Sequence, residues 1–478
     1  MERASLLLSL SPEIIFQIVD HSPSTILTLA LTCSSLYRLC QPVLKQHRDA
    51  HNKYKVTSDL SPETVLHLLR PGPTAEIERW HVRELEIWEE PSRSMLSTQE
   101  LQRCSQKGID WWDLSQVDID DIQEDLESGS DAYLKLLLIA SCPRLHSVRF
   151  VRRLGDTYSS LSFIERAIRW SLSRYSKWAP GFKSLQNVAV GVSNGSLHHN
   201  DDCESAHGSV LAALLNLPHL KNLYFYKPFQ NFEEEYQDDY PEFHETYNFP
   251  TGTSSVESIF LDSPGDLFSE FYDALTSAAK ELDTLAFRAE SSYARNGSEV
   301  NSLVEALSRK NPQLKRLIVY NGRGFYDGGC LSYSPSVIKC FEAIKHFSIA
   351  AYDIEDEGYD RAYGRDPDIV RSEWFHQAFP PNIEAIHIWG NSDYDGYETA
   401  ESEPLDLLLS QIIESGAYKD LKTVAAGRKA GVNVCTLTNK DDGGYRKNFP
   451  AKPDRFDFKT GPCGGGKTGG LEAEPLHW

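Results

Sequence analysis

The chain has no C-x-x-C pair, no apolar run long enough to cross a bilayer and no surplus of positive charge. Each absence excludes something. Nine cysteines stand at 33, 40, 104, 142, 203, 330, 340, 435 and 463. An odd count without close pairs reads as reduced thiols in a cytoplasmic or nuclear protein, not as a disulfide framework. The run Leu6 to Leu8 is cut off by Glu13 too early for a secretory signal. Ala132 to Ala140 is much too short for a membrane span and contains Lys135. The sequons at Asn194 and Asn296 then carry no meaning. The net charge of −21, from 48 basic and 69 acidic residues, opposes nonspecific binding to nucleic acid or an anionic membrane. A hydrophobic content of 40% over 478 residues still supports a sizeable core, in two or more domains or one long repeat array.

What is present begins with Leu10-Ser11-Pro12-Glu13-Ile14. Ser11 can cap a helix, and Pro12 suits the first helical position, where its missing N–H is no loss. Glu13 sets a negative charge against the positive end of the helix dipole. Ile14, Ile15, Ile18 and Val19 follow at one-turn spacing. Ser22-Pro23 opens a second helix with Ile26, Leu27, Leu29 and Ala30. A third run, Leu36, Tyr37, Leu39 and Cys40, stops at Pro42. Three such short helices cannot cover their own apolar surface well. They pack on the rest of the chain or on another protein.

This stretch resembles an F-box. Leu10, Pro12, Glu13, Ile14, Ile18, Leu29, Ala30, Cys33, Leu36 and Tyr37 match that family's pattern in order. Ser11 stands where the family often has a first proline, and His21 replaces a common leucine. The resemblance covers about the first tenth of the chain, residues 1–47. The competing reading is a helical cap on a larger domain.

Residues 45–60 are polar and read as a connector. Leu60-Ser61-Pro62-Glu63 repeats the opening tetrapeptide, but Pro71-Gly72-Pro73 ends that helix quickly. It is the same cap used again. The acidic run from Asp118 to Asp131 reads as a solvated face or loop. Residues 48–141 together make a helical and acidic connector.

From residue 142 to about 430 a spaced pattern recurs: apolar-x-x-apolar-x-apolar. Its copies start at Leu145, Leu185, Leu220, Val256, Leu282, Leu314, Ile344, Ile383 and Leu421, 26 to 40 residues apart. An earlier copy, Val82-Leu85-Ile87 near 82–89, starts the series. Alternation at the last two apolar positions predicts a short strand with one face buried. Amphipathic stripes such as Ile164, Ala167, Ile168 and Leu172 lie between copies, so each unit is helix then strand and successive strands are parallel. This resembles a degenerate leucine-rich repeat array. Only Ile383 to Asn391 carries that family's asparagine in place. The expected fold is therefore α/β: an N-terminal three-helix unit, then an irregular β/α solenoid of parallel strands. An ordinary α/β domain is the alternative. After Gly431 the rhythm fades, and 431–478 reads as a flexible tail.

Three motifs could carry chemistry, and each lacks its context. Gly461 to Thr468 satisfies the P-loop pattern with Lys467, but Gly469-Gly470 and Pro475 oppose the helix such a loop needs. Gly191-Val192-Ser193-Asn194-Gly195 matches a nucleophile elbow, which would make Ser193 the nucleophile of a serine hydrolase. A polar loop follows instead of the required helix. His198, His199, Cys203 and His207 sit in that loop without paired ligand spacing. The expectation is no enzymatic activity, no catalytic residue, no metal and no cofactor.

The F-box resemblance implies a substrate-recognition subunit of a Skp-cullin-F-box ubiquitin ligase. It implies docking on a Skp-type adaptor, and through it a cullin, by Leu10, Pro12, Glu13, Ile14, Ile18, Ile26, Leu29 and Leu36. The repeat domain would hold an unknown protein substrate. A scaffold without ligase role is the alternative. On the strands, the positions between the apolar ones point to the open side of the sheet. They bring Tyr224, Tyr226, Phe260, Tyr320, His387 and Trp389 forward as a partner-binding face, because exposed aromatic residues are what protein interfaces use.

Overall fold

A computed structural model describes residues 10–20, 26–88, 111–151, 159–173, 176–192, 206–230, 247–262, 264, 267–289, 298–321, 340–350, 379–389, 416–427, 435–439 and 445–448. The chain divides into two units, Met1–Val192 with Leu217–His219, and Ser193–Asn216 with Leu220–Trp478.

The first unit opens with helices α1 (Pro12–Asp20), α2 (Ile26–Ala30) and α3 (Ser34–Tyr54). The third helix does not stop at Pro42. It runs through it, with Leu36, Cys40, His47, Ala50 and Tyr54 buried along one stripe. Pro42 removes one backbone donor, a change that costs about 3 kcal/mol in a helix interior. The buried stripe offsets that loss, because it packs on α2 at one end and on α5 (Pro73–His81) at the other. The polar stretch 45–54 is therefore helix, not connector.

Strand β1 (Val56–Ser58) follows, then α4 (Pro62–Leu69), α5 and β2 (Glu84–Ile87). The acidic run forms α6 (Gln116–Glu127). Ser115 and Asp118 cap it reciprocally, and Ile122 and Leu126 are buried beneath its charged face. Next come α7 (Ala132–Ser141), β3 (Ser147–Val151), α8 (Ser159–Leu172), α9 (Pro180–Ser184) and β4 (Asn187–Val192). Strands β1 to β4 pair in chain order, all parallel.

Helix α7 is buried on every side from Ala132 to Ala140, Lys135 included. A helix apolar all round belongs in a core, and the one charge in this stretch must be compensated. Lys135 Nζ lies 3.0 Å from Asp131 and 3.0 Å from Asp59. Asp59 also accepts the Trp88 N–H at 2.7 Å. Burial draws the Lys135 pKa down, but the two carboxylates outweigh it and the net shift is upward. The ammonium stays charged.

The second unit contains β5 (Ala206–His207), α10 (Gly208–Leu214), β6 (Asn222–Tyr226), β7 (Pro228–Phe229), β8 (Ser258–Asp262), α11 (Ser269–Ala278) and β9 (Thr284–Ala289). It continues with α12 (Ser298–Lys310), β10 (Arg316–Asn321), β11 (His346–Ala350), β12 (Ala385–Trp389), β13 (Thr423–Gly427), β14 (Cys435–Asn439) and β15 (Tyr445–Asn448). Strands β6, β8, β9, β10, β11, β12 and β13 are parallel neighbours. The α/β class and the parallel solenoid-like stacking follow the repeat spacing. Strand β14 adds antiparallel to β13, and β15 antiparallel to β14, so part of the stretch read as tail is strand.

The first apolar position of each copy, from Leu145 to Leu421, is buried. One residue later the backbone forms a rail. Lys55 O accepts the N–H groups of Arg83 and Glu84; Arg83 O accepts those of His146 and Ser147; His146 O accepts those of Gln186 and Asn187. The second unit repeats it from Lys221 to Glu257, Asp283, Lys315, Lys345, Glu384 and Lys422. The side chains along this second rail pair as Lys221–Glu257, Asp283–Lys315, Lys345–Glu384 and Glu384–Lys422. Hydrogen bonds from Lys345 and Lys422 hold the Glu384 pKa at about 2. These pairs are exposed and add little stability; the main-chain bonds carry the stacking.

Candidate protein-docking surfaces

The N-terminal helices close around Ile15, Ile26, Ala30, Leu36 and Cys40. Leu29, Cys33, Leu39, Val43 and Leu44 pack against that cluster, half-buried. Helix α1 starts where Ser11 O accepts the N–H groups of Ile14 and Ile15. The Glu13 carboxyl lies below its usual range, held first by its own backbone N–H and then by the Ser11 side chain. Cys33 caps α3, its sulfur accepting the Leu36 N–H at 3.5 Å.

Because Ile15 points inward, Ile14 and Ile18 point outward one turn apart. They are 42% and 38% exposed, and Leu10 is 39% exposed. Leu31 at 74% and Tyr37 at 48% add to the exposed apolar surface of the same helices. Of the expected docking residues, Leu10, Glu13, Ile14 and Ile18 are thus accessible. Ile26 and Leu36 are not: they form the core that holds the three helices together, so they cannot also face a partner. Leu29 packs against that core. The backbone of Pro12 opens α1 as expected, and its side chain lies outside the described residues. Leu31 is the residue that sequence reasoning missed, since it falls just past the second helix where periodicity gives no direction.

The aromatic face on the repeat strands needs a larger correction. Phe260 and Tyr226 are each only 5% exposed. Strand register sets Tyr224, Phe260, Ala286 and Ile318 side by side across β6, β8, β9 and β10. There they make a second small core, with Tyr224 edge-on to Phe260 at 5.1 Å. Period-two alternation shows which positions leave the main core, but not what lies over them. Tyr224 is half-buried and donates to the Asp262 carboxylate at 2.5 Å. Asp262 is itself fully buried. Tyr224→Phe should cost unit two about 2 kcal/mol in chemical denaturation, the scale of a hydrogen bond to a charged group. Tyr320 lies in β10, and His387 and Trp389 in β12; their side chains lie outside the described residues.

The chemical motifs fare as follows. Ser193, His198, His199, Cys203 and Lys467 lie outside the described residues. His207 contacts Ser209 Oγ at 2.7 Å and stacks on Tyr247 at 5.6 Å, with Phe229 edge-on. No group of three His, Cys, Asp or Glu side chains among the described residues is placed to hold a metal ion. No described helix is long and apolar enough to cross a membrane.

No family model matches the chain, and no curated protein matches it either. One solved structure similar to it is the crystal structure of a Rad7 and Elc1 complex in yeast. The identity is 10%, the TM-score 0.26, and the match covers 82% of this chain and 94% of that one. A likeness of that size decides nothing about function.

Proposed function

We propose that this protein is a substrate-recognition subunit of a Skp-cullin-F-box ubiquitin ligase. The N-terminal helices dock on a Skp-type adaptor, which carries the cullin, and the repeat units hold a protein target. The chain itself performs no chemistry, needs no cofactor, and works in the cytoplasm or nucleus. The observation that carries this reading is the exposed apolar set Leu10, Ile14, Ile18, Leu31 and Tyr37 around a filled core. A helical unit that already has its own core has no internal reason to keep that surface. Its residues are those whose order resembles an F-box.

The test is a double variant, Ile14→Asp with Ile18→Asp, titrated against a recombinant Skp-type adaptor. Both side chains are exposed, so the fold should melt as wild type. Affinity should fall by about a hundredfold, roughly 3 kcal/mol, as when two interface anchors are lost. Equal affinity in variant and wild type would sink the adaptor role. A wild-type chain that binds no adaptor, yet captures a protein target, would instead favour a scaffold without ligase function.

A further inference from the structure

Three histidines meet where α3 crosses α5. His47 and His51 lie one turn apart on α3, and His81 ends α5. His47 Nδ1 is 2.9 Å from His81 Nε2, and the rings of His47 and His51 stand edge-on to His81 at 5.1 and 5.5 Å. His47 is more than nine-tenths buried. Its Nε2, and Nδ1 of His81, are buried without a hydrogen-bond partner.

We propose that His47 and His81, with the His51 ring edge-on beside them, form a proton-operated latch between α3 and α5, closed while the His47–His81 pair is neutral and released when it charges. The 2.9 Å contact needs one ring to donate and the other to accept. The neutral pair already leaves one N–H, that of the accepting ring, buried without an acceptor, and a further proton would add a second. The charged groups facing His81 offer no relief. From α3 come His47 and His51, from the end of α5 Arg83, and from the turn before β3 Arg144. None of them is an acid. Arg83 is tied to the Trp80 and Val82 carbonyls, and Arg144 lies over the Trp80 ring at 5.1 Å.

Burial lowers the His47 pKa, and burial with those neighbours brings His81 to about 4. The sign follows. The open form, with ordinary histidines, takes up protons at higher pH than the closed form does. The latch is therefore unaffected above about pH 7 and weakens as pH falls from about 6.5 toward 4. This inference does not depend on the adaptor reading, but it governs how firmly the N-terminal helices are held to the first repeat.

Hydrogen exchange of the full chain by mass spectrometry tests it, with times scaled for the pH dependence of intrinsic exchange. Between about pH 7.5 and about pH 5.5, protection over residues 47–54 and 73–81 should fall roughly tenfold, the factor set by His81 alone. Strands β3 and β4 should not change. His81→Phe keeps a ring but cannot charge, and its protection should be equal at both pH values. If that variant does not fold, His81→Gln should likewise lose the response. Equal protection of the wild type at both pH values overturns the latch, as does an unaltered response in a folded variant. So would Zn²⁺ tightening these same amides at about pH 7.5, which would make the cluster a metal site instead.

Discussion

Lys135→Ala should destabilise the first unit by about 3–5 kcal/mol, the cost of leaving buried charge without its partner. Asp59 and Asp131 would both lose the ammonium they share beside a helix buried on every side. Burial already holds the Asp59 pKa up, even with the ammonium in place. The variant should therefore recover part of its stability in acid, as Asp59 takes up a proton. Replacing the pair together, Lys135→Met with Asp59→Asn, should cost much less than the single change. Tryptophan fluorescence in urea reads this unit well, because six of the nine tryptophans (Trp80, Trp88, Trp111, Trp112, Trp170 and Trp178) lie in it. A Lys135→Ala chain that unfolds at the wild-type midpoint would show that water reaches the site and solvates both carboxylates.

The second large effect is expected at Gly181, near the start of α9. A Cβ there would overlap the Ile139 carbonyl oxygen and come within 2.9 Å of its carbon. Both atoms belong to the backbone of α7, which is buried all round and cannot retreat. Gly181→Ala should cost about 3 kcal/mol, the upper part of the range for overpacking. Gly208 makes a useful contrast. A Cβ there would approach the Phe271 ring at 2.7 Å, but a side chain can turn aside. Gly208→Ala should therefore cost less. The same denaturation measurement, read in each unit, ranks the two. A Gly181→Ala midpoint equal to that of wild type would mean that α9 slides along α7.

Local periodicity made the repeat legible. Leu145, Leu220, Leu314 and Ile383 are buried at the positions their spacing predicts, because the pattern reports a face that any single strand must hide. The start of α1 at Pro12 was legible from Ser11-Pro12-Glu13; which of Ile14, Ile15 and Ile18 turn outward was not, because all three lie in one apolar run. What sequence alone could not show depends on neighbours remote in the chain. Pro42 lies within a helix because of what α3 packs on at both ends. Phe260 is hidden among Tyr224, Ala286 and Ile318 of neighbouring strands, contacts that leave no period in its own strand. Ile26 and Leu36 match a docking motif and a core equally well, since both require an apolar side chain. The histidine cluster joins residues 34 positions apart with no spacing signal.

The backbone rail has a mechanical consequence. Each rung joins one turn to the next through main-chain atoms, so it imposes no demand on side chains and none on the length of loop between rungs. Within the second unit, intervals of 26 and 39 residues can therefore stand in one stack. The same arrangement makes failure sequential. Pulled from an end, such a stack gives way like a zip, one two-donor rung at a time, and each rung still closed is held only by the turns on either side of it. Force applied across the stack loads all the rungs of a unit at once. The direction of a pull on the stack, and not only its size, would decide which rungs open first.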